Sequence, residues 1–294
     1  MHLTIFCVIY VAKIGIFAPN IDDTNMKKII LVFILLLTMS NIQSQEKEAI
    51  VALQTEFGTL KIKLYKDTPL HKANFLKLVS EGFYTDLLFH RVIEHFMVQG
   101  GDPDSKNASD TTRLGTGDLG YTVPAEIVYP AHFHKRGALA AARTGNDANP
   151  EKASSASQFY IVTGKKYSEK NLSSIEKPKF ERFVQDAYNK LQAESKATIK
   201  GFYSSGDLDG LAAFRQGLYK QAEEAATLQN LQFTPEQRLA YTQQGGAPHL
   251  DGEYTVFGEV IEGLDVLDKL EKVKVNKNDR PVNNVKMNIM QIED

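Results

Sequence analysis

Cysteine and tryptophan are almost absent from this 294-residue sequence, which contains Cys7 and no tryptophan. One cysteine excludes a disulfide framework and a metal site made of several thiolates, and its place near the start of the chain argues against a catalytic thiol. An excess of basic residues is also missing, because 34 Lys and Arg stand against 36 Asp and Glu. Nucleic acid is therefore not an expected partner.

A long hydrophobic run is missing as well. The apolar run over 29–37 covers about half of the roughly 20 residues that a membrane-spanning helix needs, so no permanent membrane span is expected. This run follows Met26, Lys27 and Lys28 and precedes a polar stretch at 40–45. A positively charged start, a short apolar middle and a polar end are typical of a secretory signal peptide.

We therefore predict a signal peptide at 26–44, cleaved near Ser44, and a periplasmic or secreted mature protein. Residues 1–25 precede this signal, so we interpret them as an upstream extension and Met26 as the true start. A long uncleaved leader is the alternative.

The composition that is present, 43% hydrophobic and 24% charged, is that of a globular protein and excludes disorder and fibrous repeats. Period-two alternation predicts a β-hairpin over 50–64. Thr68 as the N-cap and Pro69 in the first turn predict a helix that ends before Gly82. The apolar stripe expected on that helix is Leu70, Ala73, Leu76 and Val79. Further strands are predicted at 89–99, 137–142, 158–163, 255–261 and 285–292. Many short strands with few helices predict a mainly β fold, a closed antiparallel β-barrel with capping helices.

Residues 165–247 interrupt this pattern, because helical signals replace the strand signals. One predicted helix face consists of Phe180, Phe183, Val184, Ala187, Tyr188 and Leu191. A second consists of Leu208, Leu211, Ala212, Leu218, Tyr219 and Ala222. Thr234-Pro235-Glu236-Gln237 is a capping box that opens a third helix. We predict a helical insertion at 165–247 within one domain that spans 45–294.

Three short motifs are poor candidates for ligand sites. The string at 115–120 matches G-x-G-x-x-G but follows a polar loop, so nucleotide binding is not expected. The segment at 207–210 lacks the other ligands of a calcium loop and is interpreted as a turn between helices. His132 and His134 have no carboxylate placed to complete a metal site, and we interpret them as surface histidines.

The informative stretch is Phe89–Pro103, which places an arginine close to an apolar patch and an amide. It closely resembles the signature of the cyclophilin family of peptidyl-prolyl cis/trans isomerases. The segments at 137–144, 157–161 and 250–258 resemble later strands of the same family, in the same order. The resemblance covers 49–163 and 248–294 and leaves out the insertion.

The resemblance implies a set of site residues. Arg91 matches the catalytic arginine of the family, and the proline pocket would have as its walls Phe96, Met97, Tyr160 and Leu250. The substrate backbone would be held by Gln99, Gln158, Ala142 and Arg143. Three positions depart from the pattern, since His249 stands where many relatives have Trp, Tyr254 where many have His, and Tyr160 where many have Phe.

An isomerase of this kind needs no cofactor, because rotation about an X-Pro bond breaks no covalent bond. The resemblance implies that the substrates are proline-containing unfolded or extended polypeptides, and the signal peptide places the activity in the folding of envelope proteins. The alternative is a peptide-binding or chaperone module with weak or vestigial isomerase activity, which the changes at His249 and Tyr254 permit. A scaffold role through the insertion is a third hypothesis.

The insertion is expected to lie beside the proline pocket. It begins after Thr163 and ends just before His249 and Leu250, so both of its ends flank predicted site residues. A self-contained bundle that points into solvent is the alternative.

Overall fold

The computed structural model describes residues 49–229 and 231–292. Its strands, in chain order, are β1 (Ala49–Thr55), β2 (Gly58–Leu64), β3 (Leu87–Leu88), β4 (Arg91–Ile93), β5 (Met97–Gly100), β6 (Thr122–Val123), β7 (Ala138–Ala141), β8 (Ser154–Ser155), β9 (Phe159–Val162), β10 (Val256–Glu262) and β11 (Lys286–Ile292). Its helices are α1 (Pro69–Ser80), α2 (Glu169–Glu194), α3 (Lys196–Ser205), α4 (Leu208–Leu228), α5 (Pro235–Gln243) and α6 (Leu264–Leu270). The predicted signal peptide lies outside the described residues.

Nine of the strands form one antiparallel sheet in the order β3-β11-β1-β2-β10-β7-β9-β5-β4, and β6 pairs with β8. The predicted hairpin is confirmed, because β1 and β2 pair from Ala49 opposite Leu64 to Thr55 opposite Gly58. The strand predicted at 89–99 is instead two strands, β4 and β5, which a tight turn separates.

The sheet curls through 298° and stays open, which corrects the expectation of a closed barrel. Its two edge strands are β3, which pairs with β11, and β4, which pairs with β5. These two strands follow each other in the chain. The chain itself crosses the gap between them at Phe89 and His90. The backbone N–H groups of these two residues donate to the carbonyls of Val285 and Gln99, respectively. Because this connection is so short, β3 and β4 cannot pair with each other, and the backbone of Phe89 and His90 bridges the gap.

The two faces of the central strands have different neighbours, because successive side chains of a strand point to opposite sides. On β9, Phe159 and Ile161 belong to the main hydrophobic core, which the sheet shares with α1 and α6. Tyr160 and Val162 belong to a second, smaller cluster on the opposite face. One face of the sheet therefore provides the core, and the other carries the candidate site.

Helix α1 begins as predicted, but its cap and its buried face differ from the prediction. The side chain of Thr68 makes no capping hydrogen bond. The Glu126 carboxylate instead accepts from the N–H groups of Leu70 and His71, at 3.0 and 2.9 Å, which suits the positive end of the helix dipole. Glu126 also contacts Nδ1 of His71 at 2.7 Å. His71 is buried, whereas Leu70, which was expected on the buried face, is 49% exposed. The buried face is His71, Lys72, Phe75, Leu78 and Val79.

Residues 165–247 contain four helices, α2 to α5, of which α3 was not predicted. The predicted apolar face of α2 is confirmed, because it packs on α4 around Val184, Ala222 and Ala226. The face predicted for α4 is only partly right, since Leu211, Leu218 and Ala222 are buried but Leu208, Ala212 and Tyr219 are exposed. The predicted capping box at Thr234 and Gln237 opens α5. Within the described part of the chain, no helix combines the length and the apolar character needed to cross a membrane.

A third hydrophobic cluster joins these helices to the rest of the domain. Leu172 of α2 and Tyr241 of α5 pack in it with Phe133, which lies in the loop before β7. The insertion is therefore attached through α5 and the first turns of α2.

Candidate active site

A cavity of about 140 Å³ lies at the ends of β4, β5, β7 and β9. Its lining consists of Arg91, Phe96, Met97, Gln99, Ala142, Arg143, Tyr160, Leu250 and Tyr254. The fold thus brings together nine residues that the resemblance implied, from four separate segments of the sequence. Gln158 and His249 do not line the cavity but contact residues that do.

Arg91 stands at the rim of the cavity. It pairs with Gln99 across the ladder of β4 and β5, which places both side chains at one edge of the pocket. Its side chain is 44% exposed, and Nε lies 3.6 Å from Oδ2 of Asp279, which is equally exposed. Such an exposed ion pair is weak, so the guanidinium is available to a bound peptide.

Gln99 and Gln158 form a connected pair of amides. Nε2 of Gln99 donates to Oε1 of Gln158 at 3.2 Å, and Nε2 of Gln158 donates to the carbonyl of Gly117 at 2.8 Å. Gly117 belongs to the glycine-rich string at 115–120, whose loop is held by Asp102 through the N–H of Gly115. This string therefore orients the amide beside the pocket.

The apolar part of the pocket has a buried floor and a more open rim. Met97 and Tyr160 are buried, whereas Phe96 and Leu250 are partly buried and pack against the same cluster. The ring of His249 lies 5.3 Å from the ring of Phe96 and tilts by 35°, so it backs this wall from outside. An apolar floor beside a cationic rim suits a nonpolar ring with polar backbone on either side.

Tyr254, which stands where many relatives have His, is held by a cation–π contact. The guanidinium carbon of Arg143 lies 4.4 Å from the centroid of the Tyr254 ring. Nε of Arg143 donates to the carbonyl of Glu253 at 2.9 Å. The phenol thus forms a fixed side of the pocket.

The hydroxyl of Tyr160 has a buried partner that sequence reasoning missed. Oη of Tyr160 lies 3.0 Å from Nε2 of His134, and Nδ1 of His134 lies 3.0 Å from Oδ1 of Asp251. His134 is 1% exposed, so the interpretation of His134 as a surface histidine is wrong. His132 is partly buried and stacks on Tyr65, with ring centroids 3.8 Å apart. The signal in the sequence was the hydroxyl at Tyr160, because a buried tyrosine generally needs a hydrogen-bond partner.

His90, next to Arg91, is buried, and neither of its ring nitrogens has a hydrogen-bond partner among the described residues. Burial lowers the pKa of His90 from its ordinary value of 6.5 to about 4, although the nearby Asp102 opposes this shift. The unfolded chain therefore binds more protons than the folded chain between these two pH values.

We expect His90 to make the fold less stable in acid. As the pH falls from 6.5 to about 4, its contribution should lower the free energy of unfolding by about 3 kcal/mol. Urea denaturation at several pH values measures the slope. The variant His90→Phe keeps an aromatic ring without a titratable group and should have a shallower slope. Equal slopes for both proteins would contradict the prediction.

Comparisons with known proteins match most of this chain. A family model described as "Cyclophilin type peptidyl-prolyl cis-trans isomerase/CLD" matches residues 50–191 and 217–292. A Staphylococcus haemolyticus protein named as a peptidyl-prolyl cis-trans isomerase is 28% identical over 255 residues. The alignment covers 86% of this chain and 96% of that protein. Peptidyl-prolyl cis-trans isomerase-like 2 of Rhizopus delemar is 26% identical over 84% of this chain and 29% of its own length.

Among solved structures, a cyclophilin type peptidyl-prolyl cis-trans isomerase of Cryptosporidium parvum is 20% identical, with a TM-score of 0.49. The alignment covers 84% of this chain and 99% of that one. The family model spans well over half of the sequence and includes every residue that lines the cavity. The chain therefore belongs to the cyclophilin-type peptidyl-prolyl cis-trans isomerase family.

Proposed function

We propose that this isomerase acts on X-Pro bonds in unfolded or extended polypeptides and that Arg91 is its catalytic residue. The observation that carries this proposal is the lining of one small cavity by apolar side chains, two arginines and an amide. Arg91 is the exposed arginine of the two, because the side chain of Arg143 is buried and bonds to Glu253. At about 140 Å³ the cavity is well below the roughly 300–1,000 Å³ of ordinary ligand pockets. It suits a single side-chain ring of a longer chain that continues across the surface.

The chemistry requires no covalent step. Amide resonance sets a barrier of about 18–20 kcal/mol to rotation about the peptide bond. When the bond twists, the nitrogen lone pair leaves conjugation and becomes a better hydrogen-bond acceptor. A guanidinium at Arg91 donates to this nitrogen more strongly in the twisted state than in the planar one, so it stabilises the transition state selectively.

Positioning of the substrate must supply the rest of the rate acceleration. A millionfold acceleration corresponds to a barrier about 8 kcal/mol lower. The floor at Met97 and Tyr160 holds the ring, while Gln99 and the backbone at Ala142 hold the peptide on one side. Only the other side of the bond is then free to turn.

The direct test is the isomerisation rate of a proline tetrapeptide, followed by NMR exchange, and the refolding rate of a protein limited by proline isomerisation. We expect acceleration of both. Binding of the peptide without acceleration would instead support the alternative, a peptide-binding or chaperone module. The two functions must be distinguished because His249 stands where many relatives have Trp and Tyr254 where many have His.

We further propose that the clients are proteins of the cell envelope, which are reached through the signal peptide predicted at 26–44. The support is the sequence pattern alone, namely two lysines followed by an apolar run of signal length.

This proposal predicts that the protein recovered from an envelope fraction begins after residue 40. Intact mass and N-terminal peptide mapping measure the start. A matched variant with Lys27 and Lys28 replaced by glutamate should reduce export, because the positively charged start of a signal would be lost. Recovery of the chain with residues 26–40 still attached would contradict cleavage.

A further inference from the structure

A row of buried polar side chains connects the pocket to the helical insertion. It begins at Tyr160, whose hydroxyl lies 3.0 Å from Nε2 of His134. Oδ1 of Asp251 contacts both the backbone N–H and Nδ1 of His134, at 2.9 and 3.0 Å. The row ends at Tyr241 of α5, whose hydroxyl donates to Oδ2 of Asp251 at 2.6 Å. All four residues are buried, and the side chain of Asp251 is inaccessible to solvent.

The chemistry of the groups sets the direction of each hydrogen bond. The Asp251 carboxylate can only accept, so Nδ1 of His134 must carry a proton. In the neutral imidazole, Nε2 is then the acceptor, and the hydroxyl of Tyr160 is the donor. Each group has one role, and buried polar networks with all members paired are rigid.

The row supports two residues of the pocket lining, Tyr160 and Leu250. The ring of Tyr160 meets the ring of Tyr254 edge-on at 5.9 Å. Asp251 directly follows Leu250, so the same carboxylate fixes the turn that carries Leu250. Gly246 allows this close arrangement, because a Cβ added there would lie 2.4 Å from the carbonyl of His134.

We propose that His134, Asp251 and Tyr241 are positioning residues for the isomerase reaction, and that Tyr241 makes the insertion a support of the pocket wall. The proposal rests on the function proposed above. None of the three side chains lines the cavity. They act by holding the ring of Tyr160 where a proline ring must pack, since small displacements of a positioning group are costly in catalysis.

A double-mutant cycle tests the proposal with the full chain and a proline tetrapeptide. Tyr241→Phe removes one hydroxyl, changes no atom of the cavity and should lower kcat/KM about fivefold, mainly through KM. In a Tyr160→Phe background, the row no longer contacts the ring at position 160, and only its support of the turn at Leu250 remains. The same Tyr241→Phe change should then alter kcat/KM less than twofold.

The matched control is Tyr188→Phe, which removes a hydroxyl from α2 in the part of the insertion where α2 and α4 pack together. It should leave kcat/KM unchanged. A Tyr241→Phe effect of equal size in both backgrounds would show a general loss of structure, and no effect in the wild type would show that the row is irrelevant. Either result overturns the proposal.

A second measurement does not depend on the folding of a variant. Nitrogen-15 NMR of the histidine rings in the wild-type chain should show a proton on Nδ1 of His134, which the bond to Asp251 requires. A ring without a proton on Nδ1 would lack this bond and overturn the proposal. An inactive wild type with Nδ1 protonated would instead refute the proposed function and leave the geometry of the row intact.

Discussion

Replacing Arg91 with alanine should lower kcat/KM for a proline tetrapeptide about a hundredfold, because one donor aimed at the transition state typically contributes this much. The guanidinium is the cationic donor at the pocket edge shared with Gln99. Its side chain is outside the core and its ion pair with Asp279 is exposed. The free energy of unfolding should therefore change by less than about 1 kcal/mol.

Two further variants make this measurement specific. Arg91→Lys keeps the positive charge but loses the planar set of donors, so it should recover only part of the activity. Arg182→Ala removes an exposed arginine from α2 and should leave kcat/KM unchanged. Near-normal turnover by Arg91→Ala would refute its assignment as the catalytic residue.

Phe159→Ala should have the largest effect on stability, lowering the free energy of unfolding by about 3–5 kcal/mol. Phe159 is fully buried in the main core. Its ring packs edge-on against Phe75 at 5.6 Å and Tyr84 at 5.7 Å. Truncation would leave a cavity between the sheet and α1, which a close-packed core fills only in part.

Urea denaturation followed by circular dichroism measures this loss. The matched control is Phe214→Ala on α4, where the same truncation occurs at a partly buried ring that packs on Phe202. That variant should lose no more than about 1–2 kcal/mol. Equal losses in the two variants would contradict the assignment of Phe159 to the core.

The comparison of Phe159 with Tyr160 shows how much of the site local pattern could predict. These neighbours face opposite sides of β9, one toward the core and one toward the pocket. A run of aromatic and β-branched residues is a local property, so a strand at 158–163 was predictable from its own residues. Family resemblance then indicated which face carries the site. The resemblance implied all nine residues that line the cavity.

The cap of α1 shows where local pattern fails. Thr68 matches the preferred cap residue, but Glu126 supplies the hydrogen bonds from a loop far away in the sequence. The same carboxylate contacts Nδ1 of His71, a polar residue on the buried face where the pattern predicted Leu70. Sequence periodicity ranks faces by hydrophobicity and carries no information about a partner that only folding brings near.

The open sheet has a similar cause. Sequence pattern predicts that strands exist, whereas closure depends on which backbone groups meet at the two edges. Here the edge strands β3 and β4 lie on one continuous segment and cannot pair with each other.

Local signals in the sequence were enough to predict the hairpin, the amphipathic face of α2, the capping box of α5 and the motif around Arg91 that resembles the family. The partners of the buried polar groups depend on how distant segments come together, as in the contacts of Tyr160 with His134 and of Asp251 with Tyr241. The physical reason is that apolar burial follows from periodicity along one element. A buried hydrogen bond instead requires two groups from distant segments to meet within about 3 Å.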